Sequence, residues 1–150
     1  MKHLEAAQQQ QVIEWSKWAY KANPTRYPNL DLLHCSLNGV KLSQTQAKIA
    51  KGQGMLSGVP DLFLPVPKNG FHGLFIEMKS EKGRVTENQH WFLTNAESLG
   101  YKTAVCYSAK EAISAIEAYY GKETIKGITQ DLPCVKTQNR AYITLDAVKT

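Results

Sequence analysis

The sequence predicts an α/β fold in which helices flank a mixed β-sheet. Two apolar runs, residues 60–66 and 74–79, are typical of an antiparallel hairpin, because a polar, glycine-containing turn separates them. A helical segment (86–100) and a third apolar run (102–107) follow. A strand that is joined to the next strand through a helix runs parallel to it. The sheet should therefore contain both antiparallel and parallel pairs.

The elements before the hairpin are a long helix, a loop, a short strand and a short helix. Residues 4–21 are rich in Ala, Gln, Glu and Lys, which favour a helix. Two prolines interrupt residues 23–29 and predict a loop. The run LDLLHCSLNG (30–39) predicts a short strand that ends in an Asn-Gly turn. Ser43 then opens a short helix, and a glycine-rich connection leads to the hairpin.

Capping signals mark both helices that follow the hairpin. A Ser or Thr followed three residues later by Gln or Glu forms a capping box, and a glycine ends a helix. The predicted boxes are Thr86 with Gln89 and Ser108 with Glu111, and the predicted stops are Gly100 and Gly121. The predicted order is therefore α-β-(α)-β-β-α-β-α.

Length and composition fit one domain. The chain has 150 residues, 43% of them hydrophobic, and a net charge of +5, which permits a polyanionic partner without requiring one. The predicted core is residues 4–121, and residues 122–150 form an extension whose run AYITL could add an edge strand or a dimer contact. No apolar run is long enough to span a membrane and the three cysteines lack zinc spacing, so we expect a cytoplasmic protein.

Three charged residues lie within the otherwise apolar hairpin. Asp61 begins the first strand, and Glu77 and Lys79 lie two residues apart near the end of the second. Side chains alternate along a strand, so Glu77 and Lys79 share a face. Antiparallel pairing brings the end of the second strand beside the start of the first. We therefore expect Asp61 to lie close to Glu77 and Lys79.

Two converging carboxylates repel each other unless a positive charge lies between them. Carboxylate oxygens in a partly open site suit Mg²⁺, which keeps several waters and accepts substrate phosphate. A neighbouring lysine can orient the attacking water or stabilise charge on phosphate. The combination of Asp61, Glu77 and Lys79 therefore predicts phosphodiester hydrolysis. The alternative is a surface salt bridge to Lys79, which the apolar context on both strands disfavours.

The same stretch resembles a known family. The string GVPDLFLPV, then GLFIEMKSEKGRVTENQ, is similar to the virus-type replication-repair nuclease (VRR-NUC) domain of the PD-(D/E)XK nuclease superfamily, over about residues 5–120. The resemblance implies a restriction-endonuclease-like core. Asp61, Glu77 and the main-chain carbonyl of Met78 would bind the metal, Lys79 would be the catalytic lysine, and Gln89 would be an active-site glutamine.

The family also places an acidic residue on the first helix. Glu5 has the separation from Trp15 that resembles the family's helix, and Glu14, beside Trp15, is the alternative. The segment HCSLNG falls where the family has a short motif near the substrate. The candidate DNA contacts are His34, Asn38, Lys41, Lys51, Lys82 and Arg84.

These observations predict a Mg²⁺-dependent DNA endonuclease, with Mn²⁺ able to substitute. Stand-alone members of the family resemble Holliday junction resolvases. We therefore expect a homodimeric, structure-selective nuclease that acts on branched DNA in replication and repair, in a bacterial or phage-infected cell. The alternatives are a nicking enzyme, a flap-directed or end-directed nuclease, and a non-catalytic DNA-binding module. The intact pair of acids and the lysine disfavour the last of these.

Overall fold

A computed structural model describes residues 2–36 and 41–121. The helices are α1 (Lys2–Ala22), α2 (Gln44–Gly52), α3 (Glu87–Ser98) and α4 (Ala109–Tyr120), with a short 3₁₀ turn at Leu30–Leu32. The strands are β1 (His34–Cys35), β2 (Leu62–Leu64), β3 (Leu74–Met78) and β4 (Lys102–Cys106). The predicted α/β fold is confirmed.

The four strands form one mixed sheet in the order β1-β2-β3-β4. β2 pairs antiparallel with β3, as the hairpin pattern predicts. β1 pairs antiparallel with β2, a pairing that the sequence did not predict. β3 pairs parallel with β4 through α3. The expected combination of an antiparallel hairpin and a parallel crossover is therefore present.

Alternate residues of β3 point to two covered faces. Leu74, Ile76 and Met78 are buried in the main hydrophobic core, where they join Val12 of α1 and Ile116 of α4. The opposite face of the sheet is covered by α3. The charged end of β3 thus lies on the side of the sheet that α3 covers.

Aromatic rings fill this second face, which we call the α3 face. Phe63 of β2 and Phe75 of β3 stack with ring centroids 4.3 Å apart. Phe92 of α3 meets Phe75 edge-on at 5.1 Å, and Tyr101 packs against both strand rings. This packing places α3 firmly against the sheet beside the charged residues.

Two local predictions are wrong. Leu30–Leu32 form a 3₁₀ turn rather than part of a strand, because Asn29 takes a left-handed conformation (φ 58°) that redirects the chain. The capping box predicted for α4 is only half present. Ser108 accepts the Glu111 N–H, but the Glu111 carboxylate accepts the N–H of Tyr107 instead of that of Ser108.

Other end signals hold. Thr86 with Gln89 and Ser43 with Gln46 each form a complete capping box. α3 ends with Gly100 at φ 87°, and the Gly100 and Tyr101 N–H groups bond to Glu97 and Ala96 carbonyls. The predicted Asn-Gly turn and the AYITL strand lie outside the described residues. Within those residues, no helix has the length and apolar character needed to cross a membrane.

Candidate active site

The register of the hairpin brings the two predicted acids together. Leu62 pairs with Ile76, so the preceding residue, Asp61, lies opposite Glu77. The Asp61 carboxylate accepts a 2.8 Å hydrogen bond from the Met78 backbone N–H, from Oδ2 to N. The expected meeting of Asp61 with the end of β3 is therefore present.

Glu77 is more deeply buried than the sequence suggested, with 1% of its surface exposed. Its Oε1 accepts hydrogen bonds from Lys79 Nζ at 2.6 Å and from Gln89 Nε2 at 2.5 Å. Its Oε2 is buried and has no hydrogen-bond partner among the described residues. A buried carboxylate oxygen without a partner is costly, so this atom is available to a ligand.

The electrostatics of the site favour a bound cation. The pKa of Glu77 is raised to about 7. Burial is the largest cause, the negative charges of Asp61 and Glu5 act in the same direction, and Lys79 opposes them. Burial likewise raises the pKa of Asp61, against the lowering effects of the Met78 N–H and Lys79. Lys79 alone does not offset the cost of two negative charges, one buried at Glu77 and one partly buried at Asp61. A second positive charge would stabilise both carboxylates.

Gln89 has two roles at once. Its side-chain oxygen accepts the Thr86 N–H at 2.9 Å and closes the capping box of α3. Its side-chain nitrogen donates to Glu77. The two bonds fix which way the amide points, because a flipped amide would lose both. The first turn of α3 is thus attached directly to the acid on β3.

Gly58 explains how the chain before Asp61 fits against this turn. Its φ is 89°, and a Cβ built there would lie 2.4 Å from the carbonyl carbon and oxygen of Asn88 and 2.8 Å from the Gln89 nitrogen. The adjacent Ser57 Oγ accepts a 3.0 Å hydrogen bond from Asn88 Nδ2. Only glycine permits both this conformation and this close contact.

Of the two candidate acids on the first helix, Glu5 reaches the site. Its Oε1 accepts the Ser80 N–H at 2.8 Å, just beyond β3. Gln8, one turn later, accepts the Ala109 N–H at the start of α4. Glu14 is exposed and accepts a bond from Gln10. Nine residues separate Glu5 from Glu14, which places them on opposite sides of a helix.

The candidate DNA contacts lie outside the carboxylate cluster. His34 is exposed on β1, where its ring meets Phe63 edge-on at 5.7 Å. Asn38 lies outside the described residues. The remaining candidates are exposed: Lys41, Lys51, Lys82 and Arg84. Their roles on DNA stay predictions.

The donor set fits a hard divalent cation. Asp61 and Glu77 lie opposite each other on neighbouring strands. The buried Oε2 of Glu77 has no hydrogen-bond partner in the part of the chain that the structure describes. Within residues 2–36 and 41–121, no three His, Cys, Asp or Glu side chains form a closed cluster. Mg²⁺ suits such a site, because it commonly uses one or two carboxylates and keeps several waters. Asp61, Glu77 and the Met78 carbonyl are the residues that would hold it.

Sequence reasoning missed two features of this region. One is the packing of aromatic rings on the α3 face. Its only signal in the sequence was that Phe75 lies on the same face of β3 as Glu77. The other is the bond from Ser80 to Glu5, which links residues 75 positions apart. No local pattern predicts a contact of that range.

Comparison with known proteins agrees with this geometry. A model of the VRR-NUC domain family matches residues 5–110. The chain belongs to the VRR-NUC family. A solved structure described as a VRR_NUC domain protein is similar with a TM-score of 0.61 and 27% identity, over 77% of this chain and 87% of the other. A search of curated proteins gives no match. The predicted resemblance is therefore confirmed, and the family assignment implies a nuclease-type fold with DNA as the suggested substrate.

Proposed function

We propose that this VRR-NUC protein is a Mg²⁺-dependent DNA endonuclease. The observation that carries the proposal is the buried, unpartnered Oε2 of Glu77 beside Asp61 and Lys79. A purely structural ion pair would satisfy both carboxylate oxygens. The raised pKa of Glu77, about 7, also fits a site built to hold a cation.

Each residue of the site has a distinct task. Asp61 and Glu77 supply anionic oxygens to the cation, and Gln89 holds the Glu77 carboxylate in place. Lys79, whose side chain is 11% exposed, keeps its ammonium at the acid and can reach the scissile phosphate or the attacking water. The cation, when bound, supplies Lewis-acid polarisation of the phosphate and a more acidic water.

The substrate class we propose is branched DNA, cut by a homodimer. A single site of this kind cuts one strand, whereas symmetric resolution of a junction needs two matched cuts. A two-fold dimer supplies two such sites in opposite orientations. The excess of basic residues, with a net charge of +5, supports binding to phosphate-rich partners.

A cleavage assay tests the activity and the substrate together. The purified protein is incubated with a four-way junction, a flap, a linear duplex and a single strand, in Mg²⁺, Mn²⁺ or EDTA. We expect paired nicks near the branch in Mg²⁺ or Mn²⁺ and none in EDTA. Nicks in plain duplex would instead identify a nicking enzyme, and cuts confined to flaps or ends would identify a flap-directed or end-directed nuclease. Binding without cleavage would identify a non-catalytic module.

Matched variants test the site. Asp61→Asn and Lys79→Ala should each lower cleavage by at least a hundredfold, whereas Asp31→Asn and Lys110→Ala, both exposed, should not. Cleavage that survives both site substitutions would refute the assignment. Size-exclusion chromatography with light scattering tests the dimer separately.

A second pair of variants tests the acid on the first helix. Glu5→Gln should lower cleavage, because it removes a negative charge that lies near Asp61 and Glu77 and would attract the cation to them. Glu14→Gln should leave cleavage unchanged, because that exposed residue lies on the other side of α1. The reverse result would exchange the two assignments.

A further inference from the structure

Ser36 lies in the same row of the sheet as the two acids. His34 pairs with Phe63 and Cys35 with Leu62, so the next residue, Ser36, lies opposite Asp61. The backbone confirms this register, because the Ser36 N–H donates to the Asp61 carbonyl at 2.8 Å. Asp61 in turn lies opposite Glu77. Directly opposed residues point to the same face, so all three side chains lie on the α3 face.

The Ser36 hydroxyl is buried and has no hydrogen-bond partner within residues 2–36 and 41–121. A buried hydroxyl without a partner is unfavourable. Glu77 Oε2, in the same row, is also buried without a partner. Two such atoms flank Asp61 on one face of the sheet, where neighbouring strands lie about 4.8 Å apart.

We propose that Ser36 is a further site residue that completes the hydration shell of the bound cation. Its hydroxyl would donate a hydrogen bond to a water of the cation's hydration shell, since Mg²⁺ keeps several of its waters. This inference rests on the proposed function, because it assumes that a cation binds between Asp61 and Glu77. It adds a neutral donor from the residue that directly follows β1, whereas Asp61, Glu77, Lys79 and Gln89 come from the hairpin and α3.

Metal binding in the absence of DNA tests the proposal. Titration of Mn²⁺ into the metal-free protein is followed by calorimetry for the wild type, Ser36→Ala, Ser36→Thr and Asp61→Asn. We expect Ser36→Ala to weaken Mn²⁺ affinity about tenfold, as loss of an outer-shell partner typically does. Ser36→Thr, which keeps a hydroxyl, should restore most of the affinity.

The stability of the metal-free protein separates this role from a structural one. Ser36→Ala should unfold at the same temperature as the wild type or higher in EDTA, because it removes an unsatisfied group. The control is Ser16→Ala, also buried, whose hydroxyl donates to the Ile13 carbonyl at 2.8 Å. It should unfold at a lower temperature without any change in Mn²⁺ affinity.

The possible failures are distinguishable. Wild-type affinity in Ser36→Ala, with binding lost in Asp61→Asn, would overturn the role of Ser36 and leave the metal site intact. No Mn²⁺ binding by the wild type would overturn both. Unchanged Mn²⁺ affinity with weaker binding of junction DNA in Ca²⁺ would place the hydroxyl on a DNA phosphate and overturn the hydration role.

Discussion

The buried carboxyl of Glu77 makes the stability of the metal-free protein depend on pH. Its pKa is about 7 in the folded chain, against 4.5 for an ordinary glutamate. Between these two values the folded protein holds a proton that the unfolded chain releases. The free energy of unfolding must therefore fall as pH rises through this window.

The size of the effect follows from the difference between the two pKa values. Each pKa unit corresponds to about 1.4 kcal/mol, so the full difference corresponds to about 3 kcal/mol, most of it lost between pH 5 and pH 8. Three other charged groups act on the Glu77 carboxyl: Asp61, Lys79 and Glu5. The pKa of Asp61 is also raised, which adds to the loss in the same direction.

Glu77→Gln is the perturbation that isolates this carboxyl. Glutamine has nearly the same shape, keeps an oxygen for the bonds from Lys79 and Gln89, and carries no charge at any pH. In EDTA, the variant should lose much less stability than the wild type between pH 5 and pH 8. The difference in the free energy of unfolding, variant minus wild type, should therefore be about 3 kcal/mol larger at pH 8 than at pH 5.

Urea unfolding followed by tryptophan fluorescence, at several pH values in EDTA, measures the difference. A second series with Mn²⁺ at pH 8 should reverse the order, because a cation stabilises the ionised carboxylate of the wild type. Parallel pH profiles for the two proteins in EDTA would refute the reasoning. That result would mean that the folded protein ionises Glu77 without cost.

Three further predictions concern α3, its neighbours and the core. Thr86→Ala should cost about 1 kcal/mol of stability through loss of the helix cap and leave cleavage largely intact. Gln89→Ala should lower both stability and cleavage. Equal cleavage by the two variants would contradict the role assigned to Gln89. Gly58→Ala should destabilise the fold by several kcal/mol in urea unfolding, since its Cβ would overlap the backbone of α3. Gly54 is the control, because it has a similar φ of 94° and a Cβ there would have no described atom within 4 Å, so that Gly54→Ala should cost only about 1 kcal/mol. Equal losses of stability in the two variants would contradict the close contact at Gly58. Ile116→Ala should cost about 2–5 kcal/mol by leaving a core cavity while Mn²⁺ affinity in calorimetry stays unchanged, and a parallel loss of affinity would show that the core and the site are coupled.

The hairpin and its neighbouring helix were predictable because their signals are local. Alternation fixed which face Glu77 occupies, and the turn fixed that Asp61 would lie opposite. The Thr86–Gln89 spacing predicted the capping box. Each signal spans a few residues, over which chain stereochemistry decides the structure with little help from distant contacts.

The depth of Glu77 and the choice of Glu5 depend on distant contacts. Glu77 is buried because α3 and the aromatic rings cover its face, and no short pattern specifies that packing. Glu5 and Glu14 lie on one helix with similar local composition. The docking of α1, through Gln8 and Ser80, decides between them. The 3₁₀ turn at Leu30–Leu32 similarly depends on the conformation of Asn29.

Most of the proposed site residues lie close to one another in the sequence. Asp61, Glu77, Lys79 and Gln89 come from one hairpin and the helix that follows it, whereas Glu5 joins across 75 positions. Closing a short stretch of chain loses less entropy than closing a long one. The hairpin and α3 can thus bring the carboxylates together before the N-terminal helix docks. We therefore expect a cation that is present during folding to bind Asp61 and Glu77 before α1 brings Glu5 to the site.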